Sequence, residues 1–526
     1  MVNYDKKDKI LGNIAAAFEK RNKSGRTVNI SVDLSMGEYE GRIAGDDVSA
    51  GSYSQLLDTL GRILRNPSLN EGHFISKKSV SGIYFATHFK NYLDAAPLDE
   101  LFEYINDLAF WGMNTLRLWF DMHHYTDMED GKEAAQRTLE IMKHVKSMGV
   151  RVAMTTLANE AFKDSPRHLR AEWTAGHDGY VKELEDHYHL EICPSKEGGM
   201  QQILSDRRKM LEVFKDANPD FITIGPYDEG GCTCSKCAPW GGNGYVRTLE
   251  ALLPLYKEYF PKVKLIGEFW KFSSFRDDDS EYELFYKAIE DGRLDEMKYI
   301  SAEPAYAEYA FKHDPKVPLI GFPEISMYGA WPWGGYGSNP MPGRMGRWWR
   351  ECGDKLDGGF PYSEGIYEDL NKVIMLRQYR DNQPPTDTIK EYLSYEFGLN
   401  GEDLEDITQA ILDMEETLDR NYQFPLEKDD EGEEKYCIEK ATHYYPIDHP
   451  EKAESIEKTF ARVHGTLPES IRESVKWQML YIRAMVDAEI VRNKFYRNDK
   501  ILSYFKKLVE LMHLENSGYY TSPDIF

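Results

Sequence analysis

From about Ser81 to Ser363 the chain repeats one pattern: a short apolar run, a loop with unusual polar or aromatic residues, then a stretch with helical spacing. Eight runs fit it: GIYF (82–85), TLRLWF (115–120), RVAMT (151–155), FITIG (221–225), KLIGE (264–268), YISAE (299–303), VPLIGF (317–322) and GGFPYS (358–363). Strands alternating with helices in this number predict an α/β fold, a closed (β/α)8 TIM barrel with its active site at the carboxyl ends of the strands. An open doubly wound sheet is the alternative. No glycine-rich nucleotide fingerprint follows the first run, which weighs against it.

The pattern changes on either side. Residues 1–75 predict a small α+β domain. MVNYDKKDKILGNIAAAFEKRN reads as an amphipathic helix, TVNISVDLS and EYEGRIAGDDVS as strands with a glycine turn between them, and SYSQLLDTLGRILRN as a second helix. Residues 76–365 are then the barrel and 366–526 a C-terminal α-helical domain. In that last part Ile471, Val475, Met479, Ile482, Met485, Val486 and Ile490 recur at helical spacing, as a packed face does. Such a domain supports the barrel or forms the interface of a homo-oligomer. The charge run EKDDEGEEK (427–435) reads as a solvated loop.

Composition narrows the partners. The net charge of -25 in 526 residues argues against nucleic acid or an anionic membrane, because phosphate binding needs a basic footprint. Aromatic content of 13%, with 34 Tyr and 10 Trp, provides surface suited to the apolar faces of sugar rings. The first residues lack the apolar segment and cleavage site of a secretory signal, and no stretch is apolar for long enough to span a membrane. With six cysteines in so long a chain, three of them crowded together, a disulfide framework is not expected and a reducing cytoplasm is.

A barrel should gather polar residues just after its strands, and the sequence does. His88 and Lys90 follow the first run, Asp121, His123 and His124 the second, Asn159 and Glu160 the third, and Asp228 and Glu229 the fourth. The fifth ends in Glu268 with Trp270 beyond it, the sixth in Glu303, and the seventh and eighth lead into Glu324 and Glu364. Adjacent acids beside apolar surface repel each other and lose solvation, so one holds its proton and can act as a general acid. Cleaving a glycosidic bond needs such a group to protonate the leaving oxygen and another to stabilise the sugar cation. The seventh loop, PEISMYGAWPWGGYGSNPMPGRMG, adds Tyr328, Trp331, Trp333 and Tyr336, which either stack on pyranose rings or plug the barrel mouth. Each acid also has a structural reading, as a cap or as a support for a loop.

CTCSKC supplies Cys232, Cys234 and Cys237, and Cys193 precedes the same run. Four thiolates close a tetrahedral zinc site, which would brace the loop without taking part in chemistry. Reduced buried thiols or a redox-sensitive pair are the alternatives.

The order of small α+β module, barrel and helical tail resembles the hexosaminidase-like and α-glucuronidase-like glycoside hydrolases. The stretch PLDELFEYINDLAFWGMNTLRLWF resembles the segment before and through the second barrel strand of β-N-acetylhexosaminidases, where a helix leads into a Gly/Asn turn. Asp228–Glu229 matches, residue by residue, the adjacent Asp–Glu at the end of that family's fourth strand. The resemblance implies that Glu229 is the general acid and that Asp228 orients the substrate's acetamido group, which acts as nucleophile. The family's glycines before the pair are replaced here by Gly225, Pro226 and Tyr227, and the cysteine cluster lies outside its core motif.

The expected function is an exo-acting glycoside hydrolase on short oligosaccharides, retaining and β-N-acetylhexosaminidase-like, with no cofactor required for catalysis. Two other mechanisms stay open: Glu229 with Glu324 as nucleophile, and an α-glucuronidase-like inverting enzyme in which Arg117 or Lys90 pairs with a uronate. His88, Arg117, Asp121, His123, Glu160, Glu268, Trp270, Glu303, Trp331, Trp333 and Glu364 are candidate substrate contacts. A carbohydrate-binding barrel without catalysis would keep the aromatics but has no use for poised acids. A metal hydrolase built on Asp121, His123 and His124 is disfavoured, because adjacent histidines on a strand point apart.

Overall fold

A computed structural model describes residues 1–87, 91–182, 190–226, 231–302, 307–312, 317–326, 339–363, 369–417, 426–428, 434–436, 449–494, 496 and 498–513. The amino-terminal sheet comprises β1 (Val2–Asn3), β2 (Val28–Val32), β3 (Glu40–Ala44), β4 (Asp47–Ala50) and β5 (Glu71–Ile75), in the order β1-β2-β4-β3-β5. Two details differ from the reading above. The first residues form β1, paired with β2, and the helix starts only at Lys9–Arg21, because the Asp8 side chain caps it by accepting from the N–H groups of Ile10 and Leu11. EYEGRIAGDDVS is a hairpin in itself, since Gly45, at φ +63°, turns β3 back antiparallel onto β4.

The barrel strands are β6 (Val80–Phe85), β7 (Thr115–Trp119), β8 (Arg151–Leu157), β9 (Phe221–Gly225), β10 (Lys264–Glu268), β11 (Met297–Ala302), β12 (Leu319–Gly321), β13 (Glu324–Ser326), β14 (Gly358–Gly359) and β15 (Tyr362–Ser363). Their order, β13-β15-β6-β14-β12-β11-β10-β9-β8-β7, is that of a closed eight-stranded parallel barrel. β6, β7 and β9 are buried at every residue, as parallel strands covered on both faces must be. The seventh run holds β12, with β13 following just beyond it, and the eighth run is split into β14 and β15; a proline lies in each gap, Pro323 between β12 and β13 and Pro361 between β14 and β15. Proline has no N–H to give a ladder, so pairing stops and restarts around it.

The backbone forms two compact units. One comprises Met1–Met113, Glu324–Gly353 and Pro361–Phe526; the other comprises Asn114–Pro323 and Asp354–Phe360. In the first, β13, β15 and β6 pair in parallel, and the helices Asp369–Asp381, Pro385–Phe397, Gly401–Glu416, Pro450–Thr466, Val475–Arg492 and Asp499–Leu511 pack in succession. The spacing that marked residues 471–490 is the interior of Val475–Arg492, and Ile471 falls in a separate turn, Glu469–Arg472. Around the charge run, where a solvated loop was expected, Leu426–Lys428 and Glu434–Tyr436 pair as antiparallel strands, with Glu427 opposite Lys435 in the register. In the second unit, β7, β8, β9, β10, β11, β12 and β14 follow one another in parallel. Among the described residues no helix is long and apolar enough to cross a membrane.

The first unit is tied together by a buried ionic network. Asp58, fully buried on the helix Tyr53–Arg65, lies 3.1 Å from both Arg62 and Arg377, and Arg62 reaches Asp381 at 2.7 Å. Arg380 donates to Gln55, to Ser76 and, at 2.7 Å, to the carbonyl of Gly112. Gly112 turns at φ +109° after the helix Leu98–Phe110, which is the Gly/Asn turn expected before β7. Burial alone would push Asp58 up, but the Arg62, Arg380 and Arg377 charges outweigh it and hold the carboxyl far below its usual range. Asp58→Ala removes the buried carboxylate shared by Arg62 and Arg377 and leaves their charge only partly balanced by Asp381, so a loss of about 3–5 kcal/mol is expected in chemical denaturation.

Candidate active site

In the second unit the carboxyl ends of successive strands carry interlocked polar side chains. Arg117, on β7, forms an ion pair with Glu268, the last residue of β10, at 2.6 Å, and its Nε donates to Thr155 Oγ1 on β8 at 2.8 Å. Arg117 is 3% exposed and Glu268 8%, so each charge depends on the other. The guanidinium lies 5.2 Å from the ring of Phe322 and 5.9 Å from that of Phe360. Gly225 ends β9 beside this pair, and a Cβ there would lie 3.0 Å from Glu268 Oε2. Trp270, half-buried two residues beyond Glu268, sets its ring edge-on to Phe322 at 5.9 Å.

After β7, Asp121 caps a short turn, Met122–His124, and pairs with the His123 imidazole. Because this is a 3-10 turn and not a strand, the two histidines do not point apart. Their rings stand 4.0 Å centre to centre, and ligand atoms of Asp121, His123 and His124 gather within 4.8 Å. Glu160, from the loop after β8, is fully buried and accepts the Met122 N–H at 2.5 Å and the Leu157 N–H at 3.3 Å. Burial and the adjacent Asp121 carboxylate push Glu160 up to about 8, against the pull of Arg207 at 3.6 Å. A protonated Glu160 sharing its hydrogen with Asp121 is therefore the form present at neutral pH.

The segment that follows β9 is clamped on both sides. The Tyr245 hydroxyl donates to the Ile224 carbonyl at 2.5 Å and accepts the Glu268 N–H at 3.2 Å, so one phenol joins the ends of β9 and β10. Trp240, fully buried, donates its indole N–H to the Pro226 carbonyl at 2.6 Å. Its ring packs against Gly231 and Gly244, where a Cβ would approach indole atoms to 1.9 and 2.3 Å. The buried Glu281 carboxylate accepts the N–H groups of Gly241 and Ser273, at 2.8 and 2.7 Å, fastening this loop to the one after β10.

Beyond Gly231 come Cys232, Cys234 and Cys237, and the fold brings Cys193 to them. The four sulfurs lie within 4.8 Å of one another, with Cys193 3.8 Å from Cys234 and 3.9 Å from Cys237. Hydrogen bonding from Cys232 and Cys237, and from the Ser195 and Lys196 N–H groups, holds Cys193 far below the usual thiol range, while Cys232 and Cys237 are pushed up.

The structure thus joins Arg117 to Glu268, Asp121 and His123 to Glu160, and the four cysteines to one another. Glu324 stands half-buried on β13 in the first unit, paired with Tyr362 of β15. His88, Lys90, Asp228, Glu229, Glu303, Tyr328, Trp331, Trp333, Tyr336 and Glu364 lie outside the described residues. Thr155, Arg207, Trp240, Tyr245 and Glu281 were not singled out from sequence. Trp240 and Tyr245 had a signal, since they bracket the glycine pair that follows the cysteines.

No family model and no curated protein matches the sequence. Solved structures do. A family 89 glycoside hydrolase from Clostridium perfringens matches with a TM-score of 0.54 at 11% identity, over 97% of this chain and 66% of that one. The same family 89 enzyme in complex with PUGNAc matches with a TM-score of 0.56 at 12% identity, with the same coverage. CpGH84B matches with a TM-score of 0.50 at 10% identity, over 97% of this chain and 92% of that one. The chain shares the fold of these glycoside hydrolases and spans just under two thirds of the length of the family 89 enzyme.

Two outcomes follow from the site. Glu160 titrates at about 8 when folded against an ordinary value of 4.5, so between those values the folded chain binds the extra proton, and this contribution to stability, full below pH 4.5, is lost as pH rises through 8. Glu160→Gln, which mimics the neutral form, should flatten that decline when melting temperature is followed across pH. Tyr245→Phe leaves the Ile224 carbonyl and the Glu268 N–H without their partner, and a loss of about 1–3 kcal/mol is expected in denaturation.

Proposed function

We propose that this protein is an exo-acting glycoside hydrolase that removes a 2-acetamido sugar from short oligosaccharides, with Glu229 as general acid/base and Asp228 orienting the acetamido group. The observation that carries the reading is a parallel barrel of glycoside-hydrolase fold in which, in sequence, an adjacent Asp–Glu pair follows the end of β9 after two intervening residues. Glu229 protonates the glycosidic oxygen as the bond to the anomeric carbon breaks. The acetamido oxygen closes on that carbon, and water, deprotonated by Glu229, opens the resulting ring. The clamps on Pro226 and Ile224 support this role, since a general acid works only where its position is fixed.

The family 89 enzyme is described in complex with its substrate GlcNAc-α-1,4-galactose, and also with PUGNAc. Those ligands favour an N-acetylglucosamine unit here and put the α-anomer beside the β-anomer as a substrate to test. A second reading pairs Glu229 with Glu324 as nucleophile, on sugars with or without an acetamido group; it rests on the two carboxylates following the fourth and seventh apolar runs in sequence. A uronate partner for Arg117 has less support, because Glu268 already holds that guanidinium at 2.6 Å.

The test is release of nitrophenol from α- and β-aryl N-acetylglucosaminides, N-acetylgalactosaminides, glucosides, galactosides and glucuronides. Glu229→Gln is expected to lower kcat by about 10²–10⁴-fold on the preferred substrate. Asp228→Asn should also be impaired on an acetamido sugar if the substrate supplies the nucleophile. Loss of activity in Glu324→Gln, with Asp228→Asn nearly intact, would instead make Glu324 the nucleophile. Silence across the panel with retained sugar binding would overturn catalysis.

A further inference from the structure

We propose that Cys193, Cys232, Cys234 and Cys237 bind one Zn²⁺ ion as a closed tetrathiolate site that staples the loop after β8 to the loop after β9. In a tetrahedron with metal–sulfur bonds of about 2.3 Å the sulfurs stand about 3.8 Å apart. The measured separations of 3.8 and 3.9 Å match that spacing, and the remaining sulfur pairs lie within 4.8 Å. A disulfide would need about 2.05 Å, so the sulfurs are arranged around a shared centre and not in bonded pairs. All four cysteines are free.

The backbone delivers the ligands in the manner of a thiolate site. The N–H groups of Cys237 and Ala238 both donate to the Cys234 carbonyl, at 2.8 and 3.0 Å, a tight turn that sets two cysteines three residues apart toward one point. Cys193 is positioned from the other loop. Its N–H donates to the Leu169 carbonyl at 2.8 Å, and the adjacent Ile192 exchanges hydrogen bonds with Asn159 just after β8. Cys193, Cys232 and Cys237 are wholly buried and Cys234 partly so.

The surroundings suit the double negative charge that four thiolates and one divalent ion carry. Backbone N–H groups of Ser195 and Lys196 point at the Cys193 sulfur, the Ser195 hydroxyl lies 3.0 Å from Cys237, and Arg247 donates to Cys237 at 3.9 Å. Such outer hydrogen bonds orient and stabilise thiolate ligands. Four thiols alone would gain little from these donors, because a thiol accepts weakly. An all-sulfur tetrahedral set selects zinc or iron, and zinc needs no redox partner. With every ligand position taken by protein, the ion has no place for water or substrate, so its role is to fix the segment that carries Asp228 and Glu229.

The site can be tested without any substrate, so its fate is separate from that of the glycosidase reading. The full chain is purified without chelator for elemental analysis, and metal-free protein is titrated with Co²⁺ under reducing conditions. About one zinc per chain, and cobalt spectra with thiolate-to-metal charge-transfer bands and tetrahedral d–d bands, are expected. Cys193→Ser and Cys232→Ser should lose both, whereas Cys352→Ser, at a buried cysteine outside the cluster, should retain them. If the cluster variants fail to fold, the cobalt titration of the unsubstituted chain still decides. Iron in place of zinc, or a metal-free protein whose melting temperature does not move on adding Zn²⁺, would overturn the proposal.

Discussion

The pairing of Arg117 with Glu268 is the constraint around which the ends of four strands are arranged. Neither charge has water to turn to, so removing either would strand the other in a medium where ions are costly. The consequences spread to neighbouring positions. β8 offers a hydroxyl, supplied by Thr155, to take a guanidinium hydrogen, and β9 ends in a glycine, where a Cβ would crowd Leu157 Cδ2 at 2.9 Å and the Glu268 carboxylate at 3.0 Å. The backbone of Glu268 is in turn fixed by Tyr245, which also ends β9. The segment after β9 therefore leaves from a frame whose polar atoms are committed to one another.

Much of this architecture could be read along the chain. Runs such as FITIG and KLIGE are short, with apolar centres, and each became a strand because no proline inside it interrupts the ladder. The runs VPLIGF and GGFPYS were also found, but not the second strand beyond the first of them or the division of the other. Each contains or abuts a proline, and the chain passes between its two compact units at those same points, at Pro323 and Pro361. The prolines were visible, yet an apolar run outweighs one residue when periodicity is the guide. At the amino terminus the same bias read a strand into a helix. Only the capping carboxylate of Asp8 marks where helix begins, and its choice of partner is set by three-dimensional placement.

At the site, position was legible and partnership was not. Glu160, Glu268 and Asp121 announce themselves as polar residues at the ends of apolar strands, but their environments come from residues far off in sequence. Glu160 is pushed up by burial and then by Asp121, 39 residues earlier, and the Arg117–Glu268 pair spans two strands that are not neighbours in the sheet. Spacing carries no information about such distances. The cysteines show both sides of this. The cluster CTCSKC is a local signal, whereas the approach of Cys193 depends on Asn159 and Ile192 folding one loop back on itself.

Trp240 gives the loop after β9 a history as well as a position. Its indole fills the space that side chains at Gly231 and Gly244 would require, and its nitrogen holds Pro226. A larger residue at either glycine has no room while the indole is present, and a smaller residue in place of the indole opens a void and frees a carbonyl. The three positions can therefore change only in concert. Descendants of this chain that drift elsewhere should keep the trio intact, so that an indole set between two glycines becomes a more durable mark of ancestry than overall sequence identity.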